Sequence, residues 1–310
     1  MPAAEDDLHL TDDPGPAVLA AVGALLDRAA VVDLSPPLNE AALLALKHPG
    51  RGDTRHLVAL RGDDPVGYAQ LAADGTGQLV VDPLNRRQGV GALLVRSLLE
   101  AARRDAVQLR VWALGDSPAA QALAARTGLA PMRTLLVMRR PLVDLPEPVV
   151  PDGIVITTFR SGLDEQAWLR VNARAFAHHP EQGGMTLRDL ELREAEDWFD
   201  SAGFLLAWRT AGDGSQTLLG SHWTKVHPAG EVADEAVGEV YVLGVDPDAQ
   251  GLRLGRALTD LGLAHLRGQG LSDVLLYVEE DNTTAVALYE KSGFTRFAVD
   301  VQWHREIPRD

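Results

Sequence analysis

Glu239-Val240-Tyr241-Val242-Leu243-Gly244-Val245-Asp246-Pro247-Asp248-Ala249-Gln250-Gly251-Leu252-Arg253-Leu254-Gly255-Arg256 is followed by an apolar-periodic run to Leu266. The stretch reads as a buried strand, a tight Asp-Pro turn, a loop with two glycines and a helix whose first turn is basic. Backbone N–H groups of such a loop and of a first helical turn have no intrahelical partner, and they point outward with the positive end of the helix dipole. Glycine lets the main chain approach a ligand, while Arg253 and Arg256 add full charges beside the amides. The geometry suits an anion such as a pyrophosphate. An ordinary tight connection has the same outline, so the reading needs support from elsewhere in the chain.

That support is a second copy. Val80-Val81-Asp82-Pro83-Leu84-Asn85-Arg86-Arg87-Gln88-Gly89-Val90-Gly91 has the same layout and opens a helix to about Arg104. Asp82 and Asp246 are 164 positions apart, as are Gly91 and Gly255, and Gly128 and Gly293 are 165 apart. A constant offset over three landmarks predicts an internal duplication.

Around these anchors the chain alternates helices and strands. Helices are expected over residues 16–30 and 39–47, strands over 57–60, 66–71 and 78–81, and then a strand from Val107, a helix from Pro118 and a strand from Met132 to Arg140. Pro141, Pro146, Pro148 and Pro151 crowd the stretch 141–153, which can neither continue a helix nor pair as a central strand. The predicted organisation is therefore an acidic flexible N-terminus (1–13), a first domain (14–140), a proline-rich linker (141–153) and a second domain (154–310). The fold class is α/β with mixed sheets.

A formal net charge of −15 argues against a nucleic-acid or anionic-membrane partner, so any phosphate must be held by a local cluster. Cysteine is absent, which excludes disulfides, thiolate metal sites and a cysteine nucleophile. No signal peptide or membrane-length apolar run is visible, and the cytoplasm is the expected compartment. The pairs His178/His179 and His222/His227 do not converge with other ligands, and no metal is expected.

The loop Arg86-Arg87-Gln88-Gly89-Val90-Gly91 and the later Asn282-Thr283-Thr284-Ala285-Val286-Ala287-Leu288-Tyr289-Glu290-Lys291-Ser292-Gly293-Phe294 resemble the GCN5-related N-acetyltransferase (GNAT) family. The second loop departs from the family pattern: Arg253 stands where the first glycine is expected, and a glycine is displaced to position 251. His179-Pro180-Glu181-Gln182-Gly183, His222-Trp223-Thr224-Lys225-Val226-His227 and the opening stretch are similar to a tandem branch of that family. Its members acetylate the cysteinyl amine of a cysteinyl-glucosaminyl-inositol with acetyl-CoA. The resemblance covers nearly the whole chain and implies two GNAT-like domains with acetyl-CoA in each; a monomer is expected.

It places acetyl-CoA against Leu243, Gly244, Val245, Gln250, Gly251, Leu252, Arg253, Leu254, Gly255, Arg256 and Asn282, Thr283, Thr284, Ala285, Val286, Ala287 in the second copy. In the first copy the matching residues are Leu79, Val80, Val81, Arg87, Gln88, Gly89, Val90, Gly91 and Ala92. It further implies substrate contacts at Glu40, Glu181, Lys225, Glu239 and Tyr277. From the residues alone Glu40 also reads as a helix-start charge, Glu181 and Lys225 as solvated polar residues, and Tyr277 as core packing.

Acetyl transfer to an amine needs a base for the ammonium, donors for the oxyanion and a proton for the departing thiolate. Glu239, six residues before Val245, is the expected base, and Tyr289 the expected acid. A solvated strand carboxylate and a core tyrosine are the plainer readings of the same two residues. Shifted by the repeat offset, Glu239 falls on Gly75, Tyr289 on Ala124 and Asn282 on Ser117, so chemistry is expected in the second copy. Two alternatives stay open: acetylation of another small amine such as an aminoglycoside, and a non-catalytic acyl-CoA sensor. The one-sided retention of Glu239 and Tyr289 favours an enzyme.

Overall fold

The computed structural model describes residues 8–33, 35–48 and 54–307. Two compact units emerge, and their composition is not a simple halving of the chain. The first comprises residues up to Leu136 with Glu279–Asp281 and Ala298 onward; the second comprises Val137–Val278 and Asn282–Phe297.

In the first unit, β1 (Leu8–Thr11), β2 (Arg55–Arg61), β3 (Asp64–Leu71), β4 (Thr76–Val81) and β5 (Leu109–Ala113) are neighbours in that order. α1 (Pro16–Asp33) covers one face with α2 (Glu40–Lys47), burying Leu19, Val22, Leu25 and Leu26 against Val58, Leu60 and Tyr68. α3 (Val90–Arg104) covers the other, with Val90, Leu94, Val95 and Leu98 in the core. Each such aliphatic side chain contributes about 1.5–3 kcal/mol when fully buried. α4 (Pro118–Thr127) follows β5 and is capped by Ser117, whose side chain accepts from the N–H of Ala120.

The flexible segment expected over 1–13 is partly ordered. Residues 8–11 form β1, antiparallel to β2, because Leu8 and Leu10 alternate onto the core of the unit; residues 1–7 lie outside the described residues.

The second unit repeats the plan. β7 (Ile154–Thr158), β8 (Phe204–Thr210), β9 (Gln216–His227), β10 (Val237–Val245) and β11 (Asp273–Glu279) are successive neighbours. α5 (Glu165–Ala175) and α7 (Leu187–Glu194) lie over Phe204, Trp223 and Val242, while α8 (Leu254–Gly268) packs Leu254 and Leu258 on the opposite face. Phe204 and Trp223 stack at 4.3 Å, with Trp168 edge-on to both. α6 (Pro180–Gly183) and α9 (Thr283–Lys291) complete it.

The last strand of each copy is exchanged. β12 (Thr295–Arg305) pairs its residues 301–305 antiparallel with β5, so the end of the chain completes the first unit. β6 (Ala130–Pro141) gives its residues from Val137 to the second unit, where β6 neighbours β11. Arginines confirm the swap. Arg305 donates from Nη1 to the Thr127 carbonyl at the end of α4 (3.0 Å), and Arg140, its counterpart 165 residues earlier, donates to the Ser292 carbonyl just after α9. Each last strand thus caps the helix of the other copy, a favourable pairing of cation with helix C-terminus. The observed units therefore depart from the expected bounds: residues from Val137 join the second unit although they fall in 14–140, and Ala298 onward joins the first although it falls in 154–310. The units divide inside β6, upstream of the proline-rich stretch 141–153.

Candidate active site

β10 and β11 run parallel only over Gly238–Val240 and Val274–Leu276. From there β10 keeps its ladder with β9 alone, and that ladder carries a bulge at Tyr241, where Val240 pairs with Thr224 and Val242 with Trp223. A parallel pair that separates after three residues leaves a wedge, and the bulge turns main-chain groups out of the ladder. The first unit has the same opening, since β4 and β5 pair only at Thr76–Gly77 with Arg110–Val111.

The strand ends at the two loops. Asp246 caps the turn Pro247–Ala249 and accepts from Arg174 Nε at 2.7 Å, which ties α5 to the loop; guanidinium pairing holds its carboxyl below the usual range. Asp82 does the same in the first copy, capping Pro83–Asn85 and pairing with Arg28 of α1. Gly91 and Gly255 also serve one purpose. A Cβ on Gly91 would meet Leu123 at 3.2 Å and Val81 at 3.7 Å, and one on Gly255 would meet Val245 at 3.8 Å and Leu288 at 3.9 Å. Both helix starts sit between the strand end and the later helix, tightly at Gly91 and at ordinary contact distance at Gly255.

The departure of the second loop takes a definite form. Two positions in each loop are left-handed: Arg87 (φ +63) and Gly89 (φ +90) in the first, Gly251 (φ +83) and Arg253 (φ +60) in the second. Each copy fills one with glycine and the other with arginine, in opposite order. The αL bend survives without its glycine, at a cost of roughly 1 kcal/mol for the arginine. Arg87 and Arg253 are both exposed.

Other predicted cofactor contacts are more engaged than expected. Arg256 donates through Nε to Asp260 one turn along α8 (2.7 Å), and Gln88 is held by Arg61 and the Leu84 carbonyl. Asn282 caps α9, accepting from the N–H of Ala285 at 3.1 Å; Thr283 and Thr284 are exposed at its first turn and Val286 is buried. Leu79, Val81, Leu243 and Val245 are half-buried and Val80 and Gly244 buried at the strand ends; Leu252 and Gln250 are exposed, Leu254 and Val90 buried, and Ala92, Ala285 and Ala287 half-buried.

Glu239 is 6% exposed on β10, opposite Lys225 of β9. Its Oε2 lies 2.6 Å from Nε2 of His227, and His227 Nδ1 lies 3.1 Å from Glu231 Oε1. Burial pulls the His227 pKa down, but hydrogen bonds to Glu231 and Glu239 outweigh it and raise the imidazole to about 9. His227 is thus an imidazolium at neutral pH. His222, by contrast, is fully buried, is lowered to about 4 and bonds the Leu258 carbonyl through Nδ1 (2.7 Å).

Lys225 is buried, not solvated. Its Nζ sits 4.4 Å from the Trp198 ring centroid and 5.5 Å from that of Tyr241, whose hydroxyl accepts from Arg193 Nε at 2.8 Å. Tyr277 is 39% exposed and so is not core packing. Glu40 is the first residue of α2, after the Asn39 cap. Glu181 belongs to α6, but its side chain lies outside the described residues.

Tyr289 is buried on α9, edge-on to Phe294, and burial pushes its phenol up to about 12. The first copy cannot carry a carboxylate at the matching place: Gly75 has φ +88, and a Cβ there would lie 2.1 Å from the Gln108 carbonyl oxygen. The sequence reading missed His227 as a partner of Glu239, because their contact depends on strand register.

The acetyltransferase (GNAT) family model matches residues 25–129 and again 172–294. The mycothiol acetyltransferase of Geodermatophilus obscurus is 59% identical over 299 residues, covering 94% of this chain and 95% of the relative. That of Catenulispora acidiphila is 51% identical, covering 94% and 96%. Among solved structures, a tandem GNAT protein from the clavulanic acid pathway aligns with a TM-score of 0.69 at 20% identity over 98% of this chain and all of its own (100%). A GCN5-related N-acetyltransferase from Sphaerobacter thermophilus gives 0.66 at 24% identity, covering 96% and 95%.

Proposed function

The chain belongs to the acetyltransferase (GNAT) family, and from that premise we propose how its two copies divide the work. The protein is an acetyl-CoA-dependent N-acetyltransferase. Like the mycothiol acetyltransferases to which it is 47–59% identical, it acetylates the cysteinyl amine of desacetyl-mycothiol to give mycothiol. An aminoglycoside acetyltransferase or a passive acyl-CoA sensor is not favoured.

In our reading the second copy carries the chemistry. Glu239 takes a proton from the acceptor ammonium, and the freed nitrogen lone pair attacks the thioester carbonyl. The new C–N bond pushes charge onto the carbonyl oxygen, where main-chain N–H groups at the Tyr241 bulge would receive it. As the carbonyl re-forms and the C–S bond breaks, Tyr289 supplies a proton to the thiolate, and the attacking nitrogen sheds its second proton, which restores the phenol and leaves a neutral amide. Its raised pKa keeps the phenol protonated throughout the working range, so the donor is always loaded. Acetyl-CoA lies in the wedge with its pyrophosphate on the loop Gln250–Arg256 and the start of α9. Lys225, Tyr277 and Glu181 are the acceptor contacts of the second copy.

The first copy holds a second acetyl-CoA on Leu79–Val81 and Arg87–Ala92 without turning it over. We take the enzyme to be a cytoplasmic monomer; no helix among the described residues is long and apolar enough to cross a membrane.

The observation that carries the division of labour is the buried carboxylate at the head of β10 against a glycine that tolerates no side chain at the matching place. The test is CoA release from acetyl-CoA and desacetyl-mycothiol. Glu239→Gln and Tyr289→Phe should each lower kcat by roughly 10²–10⁴ while acetyl-CoA still binds. Turnover on an aminoglycoside but not on desacetyl-mycothiol would overturn the substrate assignment.

A further inference from the structure

Glu239 is unusual for a strand carboxylate in how its two oxygens are used. Oε2 is bound to His227, whereas Oε1 has no hydrogen-bond partner among the described residues. The imidazole is itself fixed from behind. Its side chain is 7% exposed, that of Glu239 8%, and that of Glu231, on the far nitrogen, 44%. A carboxylate, an imidazole and a second carboxylate therefore run in line from the interior to the surface.

We propose that His227 is the positioning residue of the base: anchored by Glu231, it holds Glu239 Oε2 and leaves Oε1 as the oxygen that receives the amine's proton. The inference rests on the reading of Glu239 as base and adds the device that aims it.

Three physical arguments support this. A buried carboxylate without a partner is costly, and an imidazolium offsets that cost without blocking both oxygens. Three rotatable bonds link the Glu239 backbone to its carboxyl carbon, so an unbonded carboxylate would sample several rotamers; a 2.6 Å contact selects one. Last, the imidazole can bond both carboxylates as a donor only while both ring nitrogens carry protons. The proton lost by the ammonium ends on Oε1, and the imidazolium keeps both of its own, so the device neither consumes nor supplies a proton during attack.

The charged groups facing His227 are Glu239 from β10, Glu231 from the segment after β9, and Lys225 two residues earlier on β9, whose charge opposes protonation. Deprotonation of His227 near pH 9 removes one of its two donors, and the wild-type kcat should fall there. A structural tie between β9 and β10 would give no such limb.

The experiment compares kcat and KM from pH 6 to 10 for wild type, His227→Gln, Glu231→Gln and Glu239→Gln. His227→Gln should lose about 10–100-fold in kcat with KM for acetyl-CoA unchanged, and should lack the alkaline limb. Glu231→Gln, which alters a half-exposed side chain, should move that limb to lower pH, because one of the two carboxylates that raise the imidazole is gone. If Glu239→Gln is inactive while His227→Gln and Glu231→Gln keep the wild-type kcat and pH profile, the positioning role is wrong and the base assignment stands. Full activity of Glu239→Gln would overturn the base assignment itself. Should His227→Gln fail to fold, the shifted or unshifted limb of Glu231→Gln decides.

Discussion

Arg253 occupies in the second copy the backbone place that Gly89 occupies in the first, and both are left-handed, at φ +60 and +90. Arginine accepts a conformation that costs it about 1 kcal/mol, and it stands exposed beside the turn that the family resemblance assigns to pyrophosphate. Arg253→Gly should relieve the strain and remove the charge. We expect stability to change by less than about 1 kcal/mol, since glycine's unfolded-state entropy offsets the relief, while KM for acetyl-CoA rises several-fold. Gly251→Ala, at φ +83, should lose about 1 kcal/mol in denaturant unfolding. Arg87→Gly should leave kcat unchanged.

Gly262 reverses the usual helix rule. Alanine normally improves a helix interior, but a Cβ at this position would lie 2.1 Å from His222 Cε1, in a fully buried ring. Gly262→Ala should therefore destabilise by about 2–3 kcal/mol, read from urea or thermal unfolding.

Asp300 is buried on β12 and accepts from the Gly115 N–H at 2.7 Å; burial raises its carboxyl to about 6. A folded-state pKa raised above the unfolded value contributes stability at low pH that is lost as pH rises through 6. Asp300→Asn keeps the acceptor and removes the charge. It should stabilise the protein by about 1–2 kcal/mol at pH 8 and have little effect at pH 4.

The two histidines of β9 bracket the pH range of greatest stability. His222, lowered to about 4, contributes stability that is present above 6.5 and lost as pH falls from there through 4. His227, raised to about 9, contributes stability that is present below 6.5 and lost as pH rises through 9. Melting temperature against pH should peak near neutrality, and His227→Gln should flatten the alkaline side alone.

Deleting residues 298–310 should damage the first unit more than the second. β5 would lose its antiparallel partner and α4 the arginine on its terminal carbonyl. Hydrogen exchange should show protection falling over residues 109–113 ahead of residues 237–245.

Much of this was legible from residues alone. The 164-residue offset, the strand–loop–helix units and the absence of Glu239 and Tyr289 counterparts in the first copy all follow from local pattern. What escaped is what depends on pairing partners. β6 and β12 are repeats of each other, so nothing in their sequence says which sheet takes which strand. The contact of His227 with Glu239 follows from the β9–β10 register, which places Val237 opposite His227 and Glu239 opposite Lys225. The departure at Arg253 is visible in the sequence, but its left-handed backbone is not, because a non-glycine adopts it here.

The strand exchange also sets an order of events during synthesis. Residues 301–305 pair with β5, which is synthesised nearly two hundred residues before them. The first half must therefore wait with an uncovered strand edge until residues 301–305 have emerged. The two copies mature together, and a nascent chain stalled in its second half would be a target for chaperones rather than a working acetyl-CoA binder.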